Sequence, residues 1–340
     1  MSIDLKLQGI WYGRSRAAWV LLPLSYIFFV VVLVRRALYK CGLFRSYRLA
    51  KPVVVVGNLT VGGTGKTPLV IWLANTLGSL GIRVGVITRG YGGKAITWPQ
   101  QVTADSDPHS IGDEAVLIAQ QTNALVVAGP NRVASGQWAV AAGAELIISD
   151  DGLQHYRLQR DYELLVIDAS RCFGNGHLLP AGPLREPVTR LQQVDLVVVN
   201  QRDLGHAFDC NRPMVSYNVS LGGLRSLVSS KQLAIDYFVG QRVHVITAIG
   251  HPHSFISALE RLGMTVDSRL YPDHAQFSRQ DIDFDDDLPI LMTEKDAVKC
   301  SGIADSRHWA VSIDVQLSDP DREQLLMRIQ QVMHQFSAHH

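Results

Sequence analysis

Six consecutive residues, Gly62, Gly63, Thr64, Gly65, Lys66 and Thr67, have the types and order that hold a polyphosphate. Glycines let backbone N–H groups close around phosphate oxygens, the lysine can reach the β and γ phosphates, and the next hydroxyl can ligate Mg²⁺. The strict nucleotide-binding pattern wants a glycine at position 60, where this chain has Thr60, with Gly57 earlier. That departure touches the loop's entrance and leaves its phosphate-contacting end intact. A second cluster, ELIISDDGLQH, ends a hydrophobic run in Asp150 and Asp151. A carboxylate at the carboxyl end of a strand beside a phosphate loop is where such folds hold Mg²⁺, and either aspartate could take that place.

Further polar motifs are short and individually compatible with a structural role. TRGYGG (Thr88 to Gly93) offers Arg89 and Tyr91 in a flexible loop, and GDEAVLIA puts Asp113 and Glu114 in the first turn of a helix, where the dipole favours carboxylates. AGPLREP supplies Arg185 and Glu186 between prolines, and PDHAQF supplies Asp273 and His274. Two candidates for reading a base fall short of the guanine-specific NKxD pattern. TEKD has its lysine next to the aspartate, and NQRD (Asn200 to Asp203) has no lysine.

These residues need a scaffold, and the hydrophobic pattern describes one. PVVVV, VGVIT, ALVVA, ELIIS, ELLVI, DLVVV, HVITAI and ILMT are continuous apolar runs, with helical stretches such as Asp113 to Gln121 and Arg132 to Ala142 between several of them. Uninterrupted apolar strands alternating with helices imply a mostly parallel sheet covered on both faces, a doubly wound α/β fold of the P-loop NTPase type. The expected division is an N-terminal membrane-associated segment (1–49), a phosphate-loop core (50–209), a less regular linker region (210–241) and a smaller C-terminal α/β domain (242–340). That last part ends in a helix over Asp319 to Phe336, and Asp285 to Asp287 reads as a solvated loop.

With 340 residues the chain can bury a large core. Charged residues make up 19%, below the roughly 25% of ordinary soluble chains, so the apolar excess must be concentrated somewhere. It lies in AAWVLLPLSYIFFVVVLV, Ala17 to Val34, which carries no charge and is bracketed by Arg14 and Arg16 before it and Arg35, Arg36 and Lys40 after. At 1.5 Å per residue this run reaches about 27 Å, borderline for a hydrocarbon core of about 30 Å. Pro23 weakens it locally, and Trp11, Tyr12, Trp19 and Tyr26 suit the headgroup level. Residues 1–50 carry net +7 against +1 for the whole chain, which leaves −6 for the rest. A basic, apolar N-terminus on an acidic body points to an anionic membrane partner and away from nucleic acid. Four widely spaced cysteines, Cys41, Cys172, Cys210 and Cys300, suggest neither a zinc site nor a disulfide framework.

Taken in order behind the apolar segment, GNLTVGGTGKTP, TRGYGG, GDEAVLIA, DDGLQH, AGPLREP and TEKDAVK resemble the tetraacyldisaccharide 4′-kinase family of lipid A biosynthesis. The resemblance implies an ATP- and Mg²⁺-dependent transfer to the 4′-hydroxyl of a tetraacylated glucosamine disaccharide 1-phosphate, giving lipid IVA at the cytoplasmic face of the bacterial inner membrane. It further implies that Lys66 and Thr67 hold phosphates and Mg²⁺, with Asp150 or Asp151 and Glu186 supporting the metal. Arg185 would stabilise the transferred phosphoryl group, and Asp113 would act as base with His274 as its partner. Gln154, His155, Arg89 and Tyr91 join as active-site residues without assigned roles. The competing expectation is a membrane-tethered nucleotide switch or GTPase that binds a protein partner.

Overall fold

The computed structural model describes residues 9–13, 17–201 and 208–338. The basic flank at Arg14 and Arg16 and Asp203 of NQRD lie outside the described residues. Strands β1 (Val53–Gly57), β2 (Val84–Thr88), β3 (Gln100–Val102), β4 (Leu125–Ala128), β5 (Leu146–Asp150), β6 (Tyr162–Asp168) and β7 (Leu196–Asn200) come from the first two thirds of the chain. They are followed by β8 (Met214–Ser226), β9 (Gln232–Leu233), β10 (Arg242–Thr247), β11 (Thr265–Leu270), β12 (Ile290–Thr293) and β13 (His308–Leu317). All belong to one sheet, in the order β11-β10-β12-β13-β8-β7-β6-β1-β5-β2-β4-β3, with β9 paired to β8. Pairing is parallel except at β13–β8, β8–β9 and β3–β4.

The β1 valines show why the sheet must be covered twice. Val54 and Val56 join one apolar cluster and Val53 and Val55 another, each 0–1% exposed, because successive strand residues point to opposite faces. Helix α1 (Ala17–Lys40) precedes the sheet, and α2 (Lys66–Ser79) sends Leu69, Val70, Leu73 and Leu77 into the first cluster. Helices α3 (Asp113–Gln121), α4 (Arg132–Ala141), α5 (Pro252–Arg261), α6 (Glu294–Cys300) and α7 (Asp319–Ala338) complete the layers.

The stretch 210–241, expected to be an irregular linker, contains the thirteen-residue strand β8. Its burial alternates, and it pairs with β7 on one side and β13 on the other, so the two parts of the chain share one continuous sheet. Helix α1 passes through Pro23 without a break. Ala18 and Ser25 are buried, and half-buried residues recur at helical spacing between them and Arg36, so one face lies along the protein body. Ser25 fixes that face: its Oγ donates to the Leu178 carbonyl at 2.7 Å and accepts from the Ala181 amide at 3.0 Å.

Candidate active site

The phosphate loop runs from the end of β1 to the start of α2, and its shape depends on Gly65. That residue has φ 90°, and a Cβ there would lie 2.5 Å from Asn200 Nδ2 and 2.6 Å from Tyr217 Oη. Both neighbours brace the loop, since Asn200 Nδ2 donates to the Thr64 carbonyl at 3.3 Å and Tyr217 Oη to the Gly65 carbonyl at 2.9 Å. Asn200 thus belongs to the loop's scaffolding. Lys66 Nζ is held by Asn58 Oδ1 at 2.9 Å and lies 3.5 Å from Asp151 Oδ1.

Parallel pairing of β1 with β5 aligns Val56 with Asp150, which brings the carboxylates level with the loop. Asp150 is 3% exposed, its Oδ1 is buried without a hydrogen-bond partner, and burial followed by the charges of Glu114 and Asp151 pushes its carboxyl up to about 7. An orphaned carboxylate oxygen beside a phosphate loop suits a divalent cation, so the residues fit Mg²⁺. No group of three His, Cys, Asp or Glu side chains converges as a metal cage among the described residues, so phosphate and water would complete the shell. Asp151, with φ 49°, turns the other way and receives Arg185 Nη1 at 2.8 and 3.1 Å. Burial opposes its ionisation, but the charges of Lys66 and Arg185 outweigh it and hold the carboxyl well below the usual range.

Across the cleft, Asp113 begins α3 and His274 comes from the loop after β11. His274 Nδ1 donates to the Asp113 carboxylate, at 3.1 Å from Oδ2 and 3.2 Å from Oδ1. Burial raises the Asp113 carboxyl, yet the His274 hydrogen bond and the Lys295 charge bring it below its ordinary value. His274 moves the opposite way: burial lowers it, and the hydrogen bond to Asp113 more than compensates. The imidazole is flanked by Tyr91, ring centroids 4.9 Å apart, and by Lys295 Nζ, 3.4 Å from Nε2.

All of Gly62, Gly63, Thr64, Gly65, Lys66, Thr67, Asp150, Asp151, Arg185, Gln154, His155, Arg89, Tyr91 and His274 line one cleft of about 1540 Å³. Single-ligand pockets are about 300–1,000 Å³, so this one has room for a nucleotide and an acceptor together. Asp113, 5% exposed, sits behind His274 and outside that lining, and Glu186 does not join them either. It lies 1% exposed, takes the Tyr156 hydroxyl at 2.6 Å, and sits 3.6 Å from Arg190 and 3.9 Å from Arg36, outside the cleft lining. Its Oε1 is buried without a hydrogen-bond partner, and its place beside the metal stays an expectation. Lys295 carries no role in the sequence reading, yet its Nζ lies 3.3 Å from both Glu114 and Asp273. Arg132, 3% exposed and donating to the Asp150 carbonyl at 2.8 Å, was equally hidden among ordinary helix residues.

The family model described as Tetraacyldisaccharide-1-P 4'-kinase matches residues 17–333. A relative from Nitrosococcus oceani, called tetraacyldisaccharide 4'-kinase, is 47% identical over 94% of this chain and 93% of its own. One of the same name from Alkalilimnicola ehrlichii is 45% identical over 94% and 96%. The crystal structure of the "apo" form of LpxK from Aquifex aeolicus in complex with ATP superposes with TM-score 0.80 at 28% identity, covering 94% of this chain and 99% of that one. Agreement in sequence and fold over nearly the whole length has one reading: the chain belongs to the tetraacyldisaccharide-1-P 4'-kinase family.

Proposed function

We propose that this chain transfers the γ-phosphoryl group of ATP to the 4′-hydroxyl of a tetraacylated glucosamine disaccharide 1-phosphate, forming lipid IVA. The single observation that carries the chemistry is His274, which lines the same cleft as the phosphate loop and holds the Asp113 carboxylate just behind that lining. Phosphoryl transfer needs positioned phosphates, cations on the moving group and one acceptor for the hydroxyl proton. Backbone amides of Gly62 to Gly65 and Lys66 Nζ bind the phosphates. Thr67 and Asp150 are the residues that would hold Mg²⁺, with Asp151 beside them paired to Arg185, and the ion would supply charge neutralisation. Arg185, aimed by its contact with Asp151, meets the charge on the transferred group. Asp113 takes the hydroxyl proton onto its carboxylate while His274 Nδ1–H holds that carboxylate in place.

The apolar helix supports a lipid acceptor delivered at a membrane surface. It is long and apolar enough to cross a bilayer by length and composition, but one face is docked on the protein body. The other face exposes Trp19, Val20, Tyr26 and Ile27, between 62% and 80%. A helix docked along its length and apolar on its free face suits the cytoplasmic leaflet of the inner membrane, with Arg35 and Lys40 able to meet anionic headgroups. A nucleotide switch would need no base for an acceptor hydroxyl, and the Asp113–His274 pair favours the kinase.

The test is a double-mutant cycle. Asp113→Asn should lower kcat by about 10²–10⁴, the usual worth of general-base catalysis, with ATP affinity nearly unchanged. His274→Gln should act in the same direction, and the double variant should be hardly worse than the weaker single, because groups acting as a unit are not additive. Multiplying effects would separate the two residues and remove the base from the mechanism.

A further inference from the structure

Arg171 lies three residues past the end of β6 and outside the lining of the cleft, yet three distant parts of the chain meet at its guanidinium. Its Nη2 donates to the Gly63 carbonyl at 2.6 Å, inside the phosphate loop. Its Nη1 hydrogen-bonds Nε2 of His251, the residue immediately before α5. Its flat face lies 5.0 Å from the ring centroid of Tyr12, and its Nε is 3.5 Å from Asp168, a carboxylate 1% exposed. The Tyr12 end is itself pinned, because the neighbouring Trp11 donates Nε1 to the Pro180 carbonyl at 2.9 Å and accepts the Asn175 amide at 2.9 Å.

The consequence follows from peptide geometry. In a trans peptide the N–H points opposite to the carbonyl before it, so holding the Gly63 carbonyl sets the direction of the Thr64 N–H. That N–H belongs to the set that must face a phosphate. Gly62, between them, has φ 103°, a backbone conformation that a side chain would strain, and His251 Nε2 and Arg171 Nη1 stand at ordinary contact distance from where its Cβ would be, 3.5 and 3.8 Å. A planar guanidinium fork reaches a carbonyl and an imidazole from two nitrogens in fixed directions, whereas an ammonium has its three donors on one nitrogen and fixes no such plane.

We propose that Arg171 is a positioning residue for ATP: it aims the phosphate loop through Gly63, ties that aim to His251, and is braced by Tyr12 ahead of the apolar helix. The inference rests on the reading of the loop as an ATP site. Arg171 touches no reacting atom in it; Gly62, Gly63 and His251, which it holds, line the cleft.

Arg171→Lys keeps a charge beside Asp168 while losing the fork, and His251→Ala removes the other end without touching Asp168. In calorimetric titration with ATP and Mg²⁺, each should weaken binding about tenfold, and the double variant should be about as weak as the worse single. The KM for lipid acceptor and the melting temperature should stay near wild type, with kcat at saturating ATP within about threefold, the mark of a nucleotide-positioning role. Unaltered ATP affinity in Arg171→Lys while wild type binds, or effects that multiply in the double variant, would overturn the latch alone. A loss confined to kcat would overturn it too, by placing Arg171 on the transition state. Wild-type protein that fails to bind ATP would overturn the kinase reading and the latch together.

Discussion

The first turn of helix α6 carries two neighbouring residues, Lys295 and Asp296, whose replacement should fail in opposite ways. Asp296 is fully buried, and its Oδ2 accepts from Thr293 Oγ1 at 2.8 Å, Thr247 Oγ1 at 3.0 Å and the Ala248 amide at 3.1 Å. Its Oδ1 pairs at 2.9 Å with Lys299, whose side chain is also fully buried. Asp296→Ala deletes these bonds and strands the Lys299 charge, which typically costs about 3–5 kcal/mol. At roughly 2 °C per kcal/mol for a chain this long, the melting temperature should drop by about 6–10 °C. Lys295 points instead into the cleft, where burial would lower its ammonium but Glu114, Asp113 and Asp273 hold it charged and pushed up. Lys295→Met should shift melting by only about 2 °C, because two of its carboxylate partners are more than one third exposed. It should lower kcat by about 10–100-fold through a misplaced His274, since small misplacements of a catalytic group are that costly. Scanning calorimetry and steady-state transfer at saturating ATP separate the two. If Asp296→Ala lost ATP binding without a change in melting, TEKD would be reading the base and the reasoning would fail.

The Asp113–His274 pair predicts a pH window for stability. Asp113 is depressed in the fold, so its contribution is present above its ordinary value of about 4 and lost as pH falls through the folded value. His274 is raised, so its contribution is complete below about 6.5 and fades as pH rises through the folded value. The melting difference between wild type and His274→Gln should therefore be largest between about pH 4 and 6.5 and shrink above it; a difference that grew with pH would contradict the pairing. Asp150→Asn should abolish the tightening of ATP binding by Mg²⁺ seen on comparing Mg²⁺ with chelator, and undiminished tightening would move the cation elsewhere. The double change Val20→Asp and Ile27→Asp, both on the free face of α1, should stop the protein pelleting with anionic vesicles while leaving its melting nearly unchanged. Continued pelleting would place the membrane contact on another surface.

The sequence was most legible where one physical requirement acts locally. Val53 to Val56 can only be a strand buried on both faces, and glycine, lysine and threonine in fixed order can only be read as a phosphate cradle. Strands β8, β11 and β13 escaped because their apolar pattern is interrupted: β8 carries Gly222 and Gly223, and β11, TVDSRL, is an almost wholly exposed edge. A polar edge strand looks like a loop until its neighbour is known. In the site, Asp113 and His274 are 161 residues apart, and no spacing rule joins them; family resemblance named the pair before geometry did. Glu186 lies outside the cleft lining although its neighbour Arg185 is in it, since adjacency in sequence says nothing of which way a side chain turns. Arg171 and Tyr217 had no local signal at all, because each acts through a partner more than a hundred residues away, and Lys295 stood in TEKD without a sign that it faces Glu114.

The claim that the cleft moves a phosphoryl group onto a lipid is tested most directly by incubating the purified full-length chain with γ-labelled ATP, Mg²⁺ and the tetraacylated disaccharide 1-phosphate in detergent micelles. Label should appear on the lipid as a second phosphate monoester, at the 4′ position, in wild type and be absent in Lys66→Ala of unchanged melting temperature. Label released only as free phosphate, or transfer that survives loss of Lys66, would contradict it.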